Sequence, residues 1–144
     1  MNFSGTLRAQ PCTIVTDTQD QTIRFSELIR SAFIKNHRSP PRKFEIRLEE
    51  CDLTDGNLVK VLFYGEADKN QPDAFTVNGQ VEGVAIVIED QKGNLIPPDS
   101  SSAGQQLTGA QNTLDYTAYV QAPNYEKIRV GDFEAIVTFS LEYE

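Results

Sequence analysis

Three groupings of residues in these 144 have types and spacing that could do chemistry. The single histidine, His37, lies in a stretch that holds Arg30, Lys35, Arg38, Arg42 and Lys43, with no acid between Glu27 and Glu45. A Ser-His-Asp relay built there would depend on an imidazole in a connector flanked by Pro40-Pro41, with no orienting partner close in sequence. The stretch suits an anionic ligand or a docking partner, or it is a solvated connector between two strands. The second place is Glu49, Glu50 and Asp52 around Cys51. Such carboxylates could hold a hard cation or share acid/base work. They lack the spacing and turn glycine of a calcium loop, and read as a solvated strand end. The third is Cys12 and Cys51, which with one histidine and no Cys-x-x-Cys make no zinc motif. Bridged, they would close a loop of about 40 residues and stabilise the fold by about 4 kcal/mol. Unbridged, they would be two buried thiols of a reducing compartment. Spacing leaves both open. The nine glycines are scattered singly, so no phosphate-cradling loop is present. Asn2-Phe3-Ser4 matches the glycosylation sequon, a three-residue pattern of little weight. No enzyme, cofactor or metal site is expected.

A net charge of -8 argues against a general nucleic-acid binder or an anionic-membrane binder. No apolar run approaches the roughly 18 residues of a membrane span, so no membrane insertion is expected. Met1 leads directly into Asn2-Phe3-Ser4-Gly5, with neither a basic start nor an apolar stretch. That leaves a cytosolic protein or a mature exported chain restarted at an added Met. With 39% hydrophobic and 24% charged residues, the balance is that of one globular domain.

The elements that would position these groups are strands. Alternating or β-rich runs cover residues 2–7 running on toward 13–15, then 22–25, 43–48, 58–66, 84–89, 113–121 and 133–143. Asp55-Gly56-Asn57, Asn78-Gly79, Lys92-Gly93-Asn94, Pro97-Pro98 and Ala122-Pro123-Asn124 mark turns between them. Residues 26–33 offer the best helical stretch, about two turns long. The Ser100-Ser101-Ser102-Ala103-Gly104 patch reads as a mobile loop. About seven short strands with regularly spaced turns spell an all-β, immunoglobulin-like sandwich.

The last run is unusual. Phe133, Ala135, Val137, Phe139, Leu141 and Tyr143 alternate with Glu134, Ile136, Thr138, Ser140, Glu142 and Glu144, of which only Ile136 is apolar. This writes one greasy face and one wet face on a strand that nothing follows. If the N-terminal strand lies near it without filling the gap, an open apolar groove results, a liability unless another strand covers it. Burying four or five large side chains of an incoming strand would contribute on the order of 10 kcal/mol. Strand addition from another protein is the corresponding mode of recognition.

On these residues the chain resembles the structural subunits of bacterial chaperone–usher fimbriae, the type 1 and P-type pilins. Phe3-Ser4-Gly5-Thr6-Leu7 followed by Pro11-Cys12-Thr13-Ile14 is similar to the family's first strand and first cysteine. Phe44-Glu45-Ile46-Arg47-Leu48-Glu49-Glu50-Cys51 resembles its second-strand signature. Gly83 to Asp90, then Gly93-Asn94-Leu95-Ile96, resembles its central strand and hairpin, and Leu114-Asp115-Tyr116-Thr117-Ala118-Tyr119 the next strand. Gly131, fourteenth from the end, and the penultimate Tyr143 frame a terminal motif like the family's.

The resemblance implies a single pilin domain over 1–144, with a Cys12–Cys51 disulfide and an incomplete immunoglobulin-like sandwich. That sandwich has six main strands, its seventh being supplied in trans. It implies a donor-strand groove of Gly131, Phe133, Ala135, Val137, Phe139, Leu141 and Tyr143, flanked by Phe3, Gly5 and Leu7 of the first strand. Gly131 would serve a backbone role there. The implied partners are a periplasmic fimbrial chaperone, the outer-membrane usher, and neighbouring subunits through their N-terminal donor strands. The implied location is the periplasm during assembly and then the cell-surface fimbrium. One feature departs from the family pattern: only Met1 and Asn2 precede Phe3, so the N-terminal donor extension is expected to be absent, as in a truncation that prevents self-polymerisation. The alternative function is a tip adhesin or a glycan- or anion-binding module using Arg30, Lys35, Arg38, Arg42 and Lys43.

Overall fold

A computed structural model describes residues 11–15, 37–54, 56–79, 83–123, 133–134 and 137–144. Among them the strands are β1 (Thr13–Ile14), β2 (Arg42–Glu49), β3 (Leu58–Tyr64), β4 (Asn78–Gly79), β5 (Ala85–Asp90), β6 (Ser100–Ser101), β7 (Gln105–Gln106), β8 (Asn112–Gln121), β9 (Phe133–Glu134) and β10 (Thr138–Tyr143). All pairings are antiparallel. One sheet has the order β1-β2-β8-β5; the other runs β10-β3-β6, with β7 also on β3; β4 and β9 form a separate ribbon.

Period-two alternation explains why the long strands form and which way they face. In β2 and β8 the register sets Ile46 against Leu114 and Phe44 against Tyr116, so one face of this pair is apolar. Ile46, Leu48, Leu114, Tyr116, Ala118 and Val120 meet Val59, Val61 and Phe63 of β3 in one buried cluster, which is the core of a sandwich. Aromatic rings bridge the two sheets: Phe63 lies 5.1 Å from Tyr116 and 6.2 Å from Phe44, edge-on to both. Strand β5 is buried on both faces. Ile86 and Ile88 join the main core, while Ala85 and Val87 pack with Ala74 and Tyr119 in a second cluster.

The sequence anticipates β2, β3, β5 and β8 to within two residues, and Gly93 takes the left-handed φ of 84° that its turn requires. Three expectations are corrected. The terminal run is two strands rather than one over 133–143: β3 stops at Tyr64, opposite Thr138, and Phe133–Glu134 pairs instead with Asn78–Gly79. For the same reason Asn78-Gly79 is paired strand and not a turn. The serine patch is not a mobile loop. Ser100 and Ser101 pair with Phe63 and Leu62, and Ser102 is buried, accepting a hydrogen bond from the Val61 N–H at 3.1 Å. The expected strands at 2–7 and 22–25 and the helical stretch at 26–33 lie outside the described residues.

The second half of the basic stretch is also tied down. Arg38 bridges to Gln121, and Ser39 is buried, its N–H donating to the Val120 carbonyl at 2.8 Å. Because Arg42 pairs with Ala118, both Pro40 and Pro41 fall opposite Tyr119 alone, an extra residue that makes a bulge. Neither proline has an N–H to give the ladder, and at the bulge the Val120 N–H donates to the Ser39 hydroxyl at 2.9 Å.

Candidate functional site

The site is built on β10 and β3. Register places Phe139 opposite Phe63, Leu141 opposite Val61 and Tyr143 opposite Val59. Opposed residues of an antiparallel pair share a face, so all six side chains point into the sandwich. Their burial differs. Val59, Val61 and Phe63 are 1–2% exposed, whereas Val137, Phe139, Leu141 and Tyr143 are half-buried against the core. Among the described residues β10 has a hydrogen-bonded neighbour on the β3 side alone. Among the described residues β10 thus has an apolar inner face that is half covered and a second edge with no ladder on it.

The tail is held in place along its length. Glu144 donates its N–H to the Leu58 carbonyl at 2.8 Å and accepts from the Leu58 N–H at 3.1 Å, extending the ladder beyond Tyr143. Lys60 Nζ lies 3.4 Å from Glu144 Oε1 on the exposed side. Gly56 allows this approach, since a Cβ there would stand 2.6 Å from the Glu144 carbonyl oxygen. Phe139 rests 6.5 Å from Phe63, which links the open margin to the aromatic cluster at the centre.

Two phenols in this region are perturbed by burial. Tyr116 is pushed up to about 12, chiefly by burial, with a Ser102 hydrogen bond pulling the other way and the charges of Asp90 and Asp115 adding to the rise. Burial also raises Tyr143, whose hydroxyl is enclosed and has no hydrogen-bond partner among the described residues.

The cysteines are bridged, Cys12 to Cys51. The bond ties β1 to the end of β2, where Asp52 N–H also donates to the Pro11 carbonyl at 2.6 Å. Of the implied groove residues, Val137, Phe139, Leu141 and Tyr143 come together on one face. Phe133 is placed by its backbone on β9, and Gly131, Ala135, Phe3, Gly5 and Leu7 lie outside the described residues. Sequence reading did not single out Val59, Val61 and Phe63 as the row that lies opposite these residues, although their alternation within 58–66 carried the signal.

The remaining chemistry-bearing groups are dispersed. Arg38 lies over the Tyr119 ring at 4.8 Å, and Arg42 and Lys43 continue onto the exposed start of β2. Arg30 and Lys35 lie outside the described residues. Asp52 accepts hydrogen bonds from the N–H and hydroxyl of Thr54, and these hold its carboxyl below the usual range. Among the described residues no group of three or more His, Cys, Asp or Glu could hold a metal ion. Nor is any helix there long and apolar enough to cross a membrane.

A family model described as fimbrial protein matches residues 1–144, and the chain belongs to that family. It is 33% identical over 145 residues to the Fimbria A protein of Serratia marcescens, covering 100% of this chain and 83% of that one. It is 34% identical to the Major MR/P fimbria protein of Proteus mirabilis, with the same shares covered. Among solved structures, the P pilus rod subunit PapA is 29% identical with a TM-score of 0.82, over 94% of this chain and 100% of that one. The subunit of a chaperone–usher pilus, solved to explain rod uncoiling, is 31% identical with a TM-score of 0.81, over 100% of this chain and 94% of that one. This chain is therefore a structural pilus subunit with an incomplete immunoglobulin-like sandwich, not an enzyme. It is exported to surface fimbriae, where it assembles with neighbouring subunits.

Proposed function

We propose that this subunit assembles by taking a β-strand from another polypeptide into the margin beside β10. The observation that carries the reading is that, among the described residues, β10 pairs with β3 alone, together with its half-buried row Val137, Phe139, Leu141 and Tyr143. The groove continues through Gly131, Phe133 and Ala135, with Phe3, Gly5 and Leu7 of the first strand along its far side. A periplasmic chaperone supplies the strand first. At the outer-membrane usher it is exchanged for the N-terminal extension of the next subunit. Residues 1–144 act as one pilin domain in this process.

The incoming strand contributes main-chain hydrogen bonds to the free edge of β10 and apolar side chains to its inner face. Isothermal titration with a lysine-capped, alternating Val-Thr decapeptide tests this. Phe139→Asp sets an unpaired charge against Phe63 and is expected to weaken binding at least about 100-fold. Thr138→Asp, on the exposed face of the same strand, is expected to leave affinity within about threefold. Equal affinity for the parent and Phe139→Asp would remove the groove assignment.

A further inference from the structure

β3 has two edges, and the chain treats them differently. On one side β10 runs beside it for six residues with an unbroken register. On the other side its partner is the segment 97–107, which is broken into pieces. Pro97 and Pro98 have no N–H to offer. Asp99 takes a left-handed φ of 58° and donates its N–H to the Phe63 carbonyl at 2.8 Å, while the Ser100 N–H turns back to the Pro97 carbonyl at 3.2 Å. β6 and β7 follow, two residues each. Between them Ser102, Ala103 and Gly104 stand opposite only Lys60 and Val61, so one residue is extra and the strand bulges.

The bulge reverses which residues turn toward β3. Ser102 and Leu107 both donate their N–H groups that way, to the carbonyls of Val61 at 2.8 Å and Asn57 at 2.6 Å. On an uninterrupted antiparallel strand the residues that bond to one neighbour alternate, so they stand an even number of positions apart. Ser102 and Leu107 do not. The backbone groups that turn away from β3 change phase with them, from Ser101 before the bulge to Gln106 after it. A regular added strand that meets one of these in phase meets the other out of phase. The bulge is also pinned. The Val61 N–H bonds to the Ser102 hydroxyl at 3.1 Å, where a regular ladder would offer it a carbonyl. The Gly104 backbone lies so close to the Leu58 side chain that an added Cβ would stand 3.0 Å from Leu58 Cδ2. Gln105 Nε2 donates to the Thr113 carbonyl at 3.1 Å, tying β7 across to the other sheet. Prolines, very short strands and bulges are the features that keep a sheet edge from pairing. We infer that segment 97–107 closes this edge to strand addition, so that the subunit takes a strand beside β10 and refuses one beside β6 and β7. This rests on the strand-acceptance reading above and adds to it the edge at which strands are refused, whether they come from a peptide or from a second copy of the chain.

Amide exchange with and without saturating lysine-capped Val-Thr decapeptide reads both edges at once. Leu141 lies an odd number of residues from Glu144, whose N–H bonds to Leu58 of β3, so the Leu141 N–H turns to the other side of β10. In the parent, peptide is expected to slow exchange at Leu141 at least about tenfold and to leave Ser101 and Gln106 within about twofold. Deleting Ala103 sets one residue opposite each residue of β3 and brings Ser101 and Gln106 into phase. In that variant peptide is expected to slow exchange at Ser101 and Gln106 as well, and the titration to rise from one peptide per subunit to two. Protection of Ser101 or Gln106 by peptide in the parent overturns the inference and leaves strand acceptance intact. So does a deletion variant in which peptide protects Leu141, showing that it is folded, while Ser101 and Gln106 stay unprotected. If the deletion prevents folding, the two edges of the parent decide alone. Protection at neither edge of the parent removes strand acceptance, and the inference falls with it.

Discussion

Tyr116 shows how one side chain ties the two sheets together and makes the fold sensitive to pH. Its ring stacks on Phe44 at 5.5 Å and meets Phe63 edge-on at 5.1 Å, which places the phenol in the core and pushes it up to about 12. Below pH 10, the ordinary value for a phenol, the hydroxyl is neutral in both the folded and unfolded chain and costs nothing. As pH rises from 10 toward 12, the unfolded chain ionises while the folded chain does not, so stability is lost across that window. Above about 12 the folded phenol ionises as well and the loss levels off. A rise of about two units corresponds to about 2–3 kcal/mol for this residue. Urea midpoints at pH 8, 10 and 11.5 should therefore fall more steeply for the parent than for Tyr116→Phe. Tyr119 and Tyr143, both raised by burial, act in the same direction in either protein. Parallel pH profiles would mean that Tyr116 ionises as it would in water.

At the scale of elements, what could be read from sequence follows from what alternation can and cannot encode. β2, β3, β5 and β8 bury one or both faces, and their apolar spacing announces them. β6 and β7 do not announce themselves. Ser100, Ser101, Gln105 and Gln106 join the sheet through backbone pairing with β3, and a run of serine and glutamine has no apolar period to show it. The apolar face of β10 was legible because its greasy residues recur strictly; its break from β9 was not, because the choice of Asn78–Gly79 as partner is a long-range event. The same limit applies to Gly56, which in sequence is one more turn glycine and in the fold is the seat of the chain's last residue. The Glu144 oxygen it faces is backbone, so it cannot swing aside as a side chain could. Gly56→Ala is expected to push Glu144 off Leu58 and strip amide-exchange protection from those two N–H groups at least tenfold, while Ser140, paired with Leu62 deeper along β10, keeps its protection. Unchanged protection at Glu144 would show that the loop yields instead of the strand.

At the scale of the whole molecule, the proposed strand-accepting edge of β10 sits against a well-packed core. Val59, Val61 and Phe63 are sealed, the Cys12–Cys51 bond closes a separation of 39 residues, and the aromatic cluster joins both sheets, so most of the sandwich has its native partners without help. The half-buried row on β10 is where further apolar burial is available. A partner strand that binds the folded chain and not the unfolded one stabilises it by mass action, about 2.7 kcal/mol at a hundred times its dissociation constant. Covalent attachment replaces that concentration with an effective one, in the millimolar range for a short flexible linker. Glu144 is paired with Leu58 at the end of β10, so a short turn after it would return an added strand along the open edge as a hairpin, antiparallel to β10. A version extended by Thr-Asn-Gly and an alternating Val-Thr strand, the added Thr turning its backbone groups to the edge away from β3, is therefore expected to melt at least about 10 °C above the parent. It should also stay monomeric at concentrations where the parent aggregates, and no longer respond to added peptide. The same extension placed on Phe139→Asp should gain little, because the charge under the added strand remains unpaired. If both versions gain equally, the added strand is binding somewhere other than the face that holds Phe139, Leu141 and Tyr143.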